Sequence, residues 1–89
     1  MLEKQVTLTN KKGLHARAAT RVVQVSQAYQ AKMELCLEDR SASTRNIMQL
    51  LMLAAPCGTQ LTLKAEGEDA DQALAALDQL IQARFDEED

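Results

Sequence analysis

The chain of 89 residues has no tryptophan, one tyrosine, one phenylalanine, one proline, three glycines, two cysteines and a single histidine. Each shortage excludes something. Cys36 and Cys57 show no Cys-x-x-Cys spacing, and one histidine cannot complete four zinc ligands of the usual kind. We therefore expect no metal and no cofactor. Gly13, Gly58 and Gly67 are scattered, so no glycine-rich loop of the nucleotide-binding type cradles a phosphate. A lone His15 rules out a pair of histidines working as acid and base. Ser41, Ser43 and Thr44 cluster, but no glycine-rich elbow presents one of them as a nucleophile. The longest apolar run, Leu50 to Pro56, is far short of the roughly 20 residues that span a bilayer, so no membrane role is expected. Met1-Leu2-Glu3-Lys4-Gln5 lacks the basic cluster and apolar block of a secretory leader. A soluble, cytoplasmic protein with reduced thiols is the expectation.

Excess positive charge is missing too. The formal net charge is −3, which argues against nucleic acid as a partner, because neutralising phosphates needs clustered Lys and Arg. The charges are unevenly placed, however. Lys11 to Arg21 holds four cations and no acid, whereas Asp86-Glu87-Glu88-Asp89 closes the chain with four acids. A short basic neighbourhood on an acidic protein suits a small anion or an acidic partner.

What the chain does have is enough apolar material, 46% of its residues, for one core, so residues 1–89 read as a single domain. Leu2 to Leu8 alternates around Val6 and Leu8 as a strand, and Asn10-Lys11-Lys12-Gly13 is the turn that ends it. Ala16 to Gln27 has helical spacing at 16, 19, 22, 23 and 26. Met33, Leu35 and Leu37 alternate with polar neighbours, a turn follows at Glu38-Asp39-Arg40, and Ser41-Ala42-Ser43 pairs back as a short hairpin partner. Leu61, Leu63 and Ala65 make a fourth strand. Ala70, Ala73, Leu74, Leu77, Leu80 and Ile81 make the clearest helix, with Asp69 at its N-cap and Gln72 completing a capping box.

The order is βαββαβα. Since each strand buries one face, the class is α+β: an open-faced β-sandwich, with a four-stranded antiparallel sheet carrying three helices on one face. Cys36 falls on the open face, where alkylating reagents should reach it.

The segment Ile47 to Leu53 is apolar at six of seven positions. At about 100° per residue, Leu50, Leu53 and Ala54 group on one side and Met48, Leu51 and Met52 on another. A two-turn helix cannot bury both sides against one sheet. Either a neighbouring loop covers the second side, or it is an exposed patch where a partner docks, with Met supplying adaptable contacts.

Gly13-Leu14-His15-Ala16-Arg17 sits where a turn becomes a helix. The first turn of a helix presents unpaired N–H groups and a partial positive charge, here the amides of Ala16, Arg17 and Ala18. Arg17 can add a charge-assisted bond to the same anion. His15 lies just outside, where a phosphoryl group on its ring could rest against those amides. With no second catalytic group at hand, the residues describe a covalent carrier and not a self-sufficient enzyme.

Asn10-Lys11-Lys12-Gly13-Leu14-His15-Ala16-Arg17-Ala18-Ala19 resembles the active-site signature of HPr, the histidine phosphocarrier family of bacterial phosphotransferase systems. Ser41-Ala42-Ser43, the apolar helix from Ile47 and Ala65-Glu66-Gly67-Glu68-Asp69 fall where that family has equivalents, and βαββαβα is its fold. The resemblance implies that His15 accepts a phosphoryl group, at Nδ1 in the family, from a phosphoenolpyruvate-dependent Enzyme I and passes it to a IIA-type protein. Arg17 would help bind the group. The docking surface would combine Arg17, Thr20 and Arg21 with Ile47, Met48, Leu51 and Met52, on a monomer that meets each partner in turn.

Two positions depart from the family's habit. Proline is common after the arginine, where this chain has Ala18; alanine keeps an N–H and frees φ. Many sugar-branch members carry a kinase-targeted serine just before the second helix, where this chain has Asn46, a good N-cap but no phosphorylation acceptor. Leu50-Leu51-Met52-Leu53 and the Phe85-Asp86-Glu87-Glu88-Asp89 ending resemble the nitrogen-related branch, NPr, with nitrogen regulation as its role. The alternatives are a sugar-branch carrier, or a regulatory paralogue that is not phosphorylated and binds partners through the second helix.

Overall fold

A computed structural model describes residues 1–86. In chain order the elements are β1 (Leu2–Thr7), α1 (Ala16–Ser26), β2 (Lys32–Leu37), β3 (Arg40–Ser43), α2 (Ile47–Met52), β4 (Gln60–Glu66) and α3 (Ala70–Gln82), followed by a tight turn at Arg84–Asp86. This is the βαββαβα order expected. The strands lie in the order β1-β4-β2-β3, and every pairing is antiparallel.

The register explains which side chains face the helices. Val6 stands opposite Leu61, Leu35 opposite both Leu63 and Ala42, and Met33 opposite Ala65, and all seven are buried. α1 adds Ala18, Ala19 and Val22, α2 adds Leu50, and α3 adds Ala73, Leu77 and Ile81 to the same core. The other sheet face is polar. Its rows run Glu3–Lys64–Glu34–Ser43 and Gln5–Thr62–Cys36–Ser41, the first alternating in charge, as suits directly opposed side chains.

Several local expectations need correction. The capping box at α3 does not form, because Asp69 makes no side-chain bond to its own helix. Its carboxylate instead accepts from Gln30 N at 2.9 Å and Ala31 N at 2.8 Å, holding the entry to β2. Ala54 does not share the buried side of α2. The helix ends at Met52, and Ala54 is exposed with φ +50°, so helical spacing no longer applies there. Cys36 is half-buried in its row. Burial pushes its thiol pKa up, Glu34 and Glu3 push the same way, and Lys64 opposes them; Cys57 is the exposed thiol.

Phe85 is buried and anchors the C-terminal turn, in which Arg84, Phe85 and Asp86 all have positive φ. The acidic ending beyond Asp86, at residues 87–89, lies outside the described residues. Among the described residues, no helix is long and apolar enough to cross a membrane.

Candidate functional site

The His15 loop is built from backbone contacts. Asn10 and Gly13 close a turn, with Gly13 N donating to Asn10 O at 3.2 Å. Leu14 N then donates to Ala55 O at 2.9 Å, which presses the loop onto the chain that follows α2. Gly13 is required twice over. Its φ is +63°, and a Cβ there would stand 2.3 Å from Ala55 O and 2.7 Å from Pro56 Cα. No larger residue fits without moving backbone.

His15 follows as the N-cap of α1, in extended conformation, and its carbonyl accepts the first helical bond from Ala19 N at 2.8 Å. Its side chain makes no capping bond to the helix. The ring turns back instead, with Nδ1 3.1 Å from Gly13 O. A carbonyl can only accept, so a hydrogen bond at this contact requires the proton on Nδ1. The amides of Ala16, Arg17 and Ala18, which precede the first helical bond, have no intrahelical partner. α2 differs: there Asn46 Oδ1 accepts from Gln49 N at 3.1 Å and closes the helix start.

Arg17 is exposed, and among the described residues its guanidinium has neither hydrogen bond nor ion pair. Ala18 is fully buried and helps seat the helix. One turn on, Thr20 is exposed and its hydroxyl donates to Ala16 O at 2.8 Å. Arg21 is less available than its neighbour. It donates to Gln24 Oε1 at 3.0 Å and pairs with Asp86 at 2.7 Å.

On α2, which packs against α1, the two sides separate as the spacing suggested. Leu50 is fully buried, while Met48 is 63% and Met52 73% exposed. Ile47 is exposed at its edge, and Leu51 is half-buried against the core. Among the described residues, no loop covers the second side. Sequence reasoning passed over two contributors, Asn10 and Ala55. Asn10 is completely buried, and its Nδ2 donates to Gly13 O at 2.8 Å. A side-chain amide three residues before a turn glycine was the available signal for it. Ala55 offered none, since its contact with Leu14 is remote in sequence.

A family model described as "PTS HPr component phosphorylation site" matches residues 2–83. The chain belongs to the HPr family. It is similar to the phosphocarrier protein NPr of Shewanella violacea, at 43% identity over 86 residues, covering 97% of this chain and 94% of that protein. It is comparably similar to the phosphocarrier protein HPr of Pseudomonas aeruginosa, at 45% identity over 84 residues and 93% of each chain. Among solved structures, HPr-C-His from Thermoanaerobacter tengcongensis superposes with a TM-score of 0.94 at 33% identity, covering 99% of each chain. An HPr dimer from the same organism gives 0.78 at 32% identity, covering 98% of this chain and all of that one. HPr membership makes the chain an HPr-family phosphocarrier of the phosphotransferase system.

Proposed function

We propose that His15 is the phosphoryl acceptor of this carrier, loaded by a phosphoenolpyruvate-dependent Enzyme I-type protein and unloaded by a IIA-type protein. The observation that carries the proposal is the start of α1: an N-cap histidine whose side chain makes no capping bond, beside an exposed Arg17 that has no ion pair among the described residues. A phosphoryl group on that ring meets the amides of Ala16, Arg17 and Ala18 and the guanidinium of Arg17. Preorganised donors of this kind stabilise the charge that spreads over the transferring oxygens. A ring lone pair forms the N–P bond while the donor's bond to phosphorus breaks and returns its electron pair to the donor. The partners supply the remaining groups. This chain therefore transfers without catalysing a full reaction alone.

Docking falls to Arg17, Thr20 and Arg21 on α1 with Ile47, Met48, Leu51 and Met52 on α2. The exposure of Met48 and Met52 supports it, since large apolar groups left in water mark an interaction surface. We assign the chain to the nitrogen-related branch on its Leu50-Leu51-Met52-Leu53 run and its NPr relative, acting in the cytoplasm as a monomeric single domain over residues 1–89. The similarity to HPr proteins at matching identity makes the sugar branch the competing assignment.

One experiment separates the two branches: intact mass after incubation with phosphoenolpyruvate and a nitrogen-branch or a sugar-branch Enzyme I. We expect faster formation of an acid-labile adduct with the nitrogen-branch donor. Faster loading by the sugar-branch donor reverses the assignment. A second reading, a regulatory paralogue that binds through α2 without phosphorylation, is favoured by the exposed methionines and by Ala18. Under it, neither donor gives an adduct.

A further inference from the structure

Three nitrogens converge on one carbonyl. Gly13 O meets Asn10 Nδ2 at 2.8 Å, His15 N at 3.0 Å and His15 Nδ1 at 3.1 Å. A carbonyl has two lone pairs, so its direction decides which donor it serves well. Asn10 grips it from a fully buried position, and the turn bond from Gly13 N back to Asn10 O locks the two residues together. Gly13 lies close against the backbone of Ala55 and Pro56, where even a Cβ would clash.

We propose that Asn10 is a positioning residue for His15: it aims the Gly13 carbonyl at Nδ1, so that the resting ring is held in one orientation as the Nδ1–H tautomer. The hydrogen bond made by one ring nitrogen decides the tautomer of a neutral imidazole. This inference rests on the reading of His15 as acceptor and extends it to how the acceptor is kept at rest. If Nδ1 is the nitrogen that takes the phosphoryl group, as the family resemblance implies, the ring must first leave the carbonyl. Nδ1 gives its proton to water and Nε2 takes one up. The freed Nδ1 lone pair then forms the N–P bond as the donor's bond to phosphorus breaks. Asn10 thus makes the resting state a defined, closed one.

The test uses unphosphorylated protein with labelled imidazole and amide nitrogens, and the single histidine makes the ring signal unambiguous. In wild type with a neutral ring, ¹⁵N NMR is expected to show Nδ1 protonated and Nε2 unprotonated. Scalar couplings across hydrogen bonds should connect both Asn10 Nδ2 and His15 Nδ1 to the Gly13 carbonyl carbon. A predominant Nε2–H tautomer, or the absence of either coupling, overturns the proposal without recourse to any variant. Asn10→Ala and Asn10→Asp should each lower the Nδ1–H to Nε2–H ratio about fivefold, the worth of one neutral hydrogen bond. The Leu14 amide, bonded to Ala55 O, reports by its exchange protection whether the loop stays folded. An unchanged ratio in a folded variant also overturns the proposal. Since no donor protein is present, the result is independent of whether His15 is phosphorylated.

Discussion

The starts of α1 and α2 are built from the same part in opposite ways. Asn46 turns its side chain onto the Gln49 amide and closes α2. His15 turns its ring away, onto Gly13 O, and makes no capping bond to the first amides of α1. A closed helix start contributes stability alone. An unclosed one, seated on a rigid loop, keeps its donors for an anion. The exposed faces divide in the same way, for α1 shows water a cation at Arg17 where α2 shows Met48 and Met52. Under the proposed function, one helix serves the phosphoryl group and the other the protein that brings it.

The largest effect is expected within α2 itself. Leu50→Ala should lower stability by about 2–5 kcal/mol through transfer and cavity costs, whereas Met48→Ala should stay within about 0.5 kcal/mol. Urea unfolding of both variants measures this, and equal losses would mean that Met48 is core. Gly13→Ala comes next, at about 2–4 kcal/mol, because strain at positive φ adds to the clash with Ala55 and Pro56. The same unfolding assay applies, and a neutral result would show that the loop is not pressed on the chain after α2. Asn46→Ala should cost about 1 kcal/mol for its lost cap, and His15→Ala distinctly less. Thermal melts compare the two; a larger loss at His15 would reverse the contrast.

Much of this was legible beforehand. The alternation at Met33–Leu37 and Leu61–Ala65 identified the inner sheet face, and the three-and-four spacing of α3 identified its core side. The division of Leu50 from Met48 followed from helical spacing alone. What escaped depended on partners far along the chain. Asp69 has the right type and place for a capping box, yet its carboxylate binds Gln30 and Ala31, which local spacing cannot reveal. Ala54 follows the helical count on paper but lies past the end of α2. Within the site, His15 and Arg17 were visible by residue type and position. Asn10 and Ala55 were not, since the sequence marks one only as a turn former and the other works through its backbone oxygen.

The smallest expected effect concerns the thiols. Burial raises the Cys36 thiol pKa, so at neutral pH less of it is the reactive thiolate than at an ordinary cysteine. Mass spectrometry of a timed iodoacetamide reaction should find Cys57 modified first. Cys36 should gain on it only as pH rises beyond the ordinary thiol range. Equal rates at neutral pH would mean that the outer sheet face is more open than described.

We propose that His15 carries the phosphoryl group while α2 supplies docking. The most direct test is the intact mass of wild type, His15→Ala and Met48→Lys after incubation with phosphoenolpyruvate and an active Enzyme I. One acid-labile phosphoryl adduct is expected on wild type, none on His15→Ala despite an intact fold, and slower formation of the same adduct on Met48→Lys. An adduct that persists on folded His15→Ala would contradict the proposal.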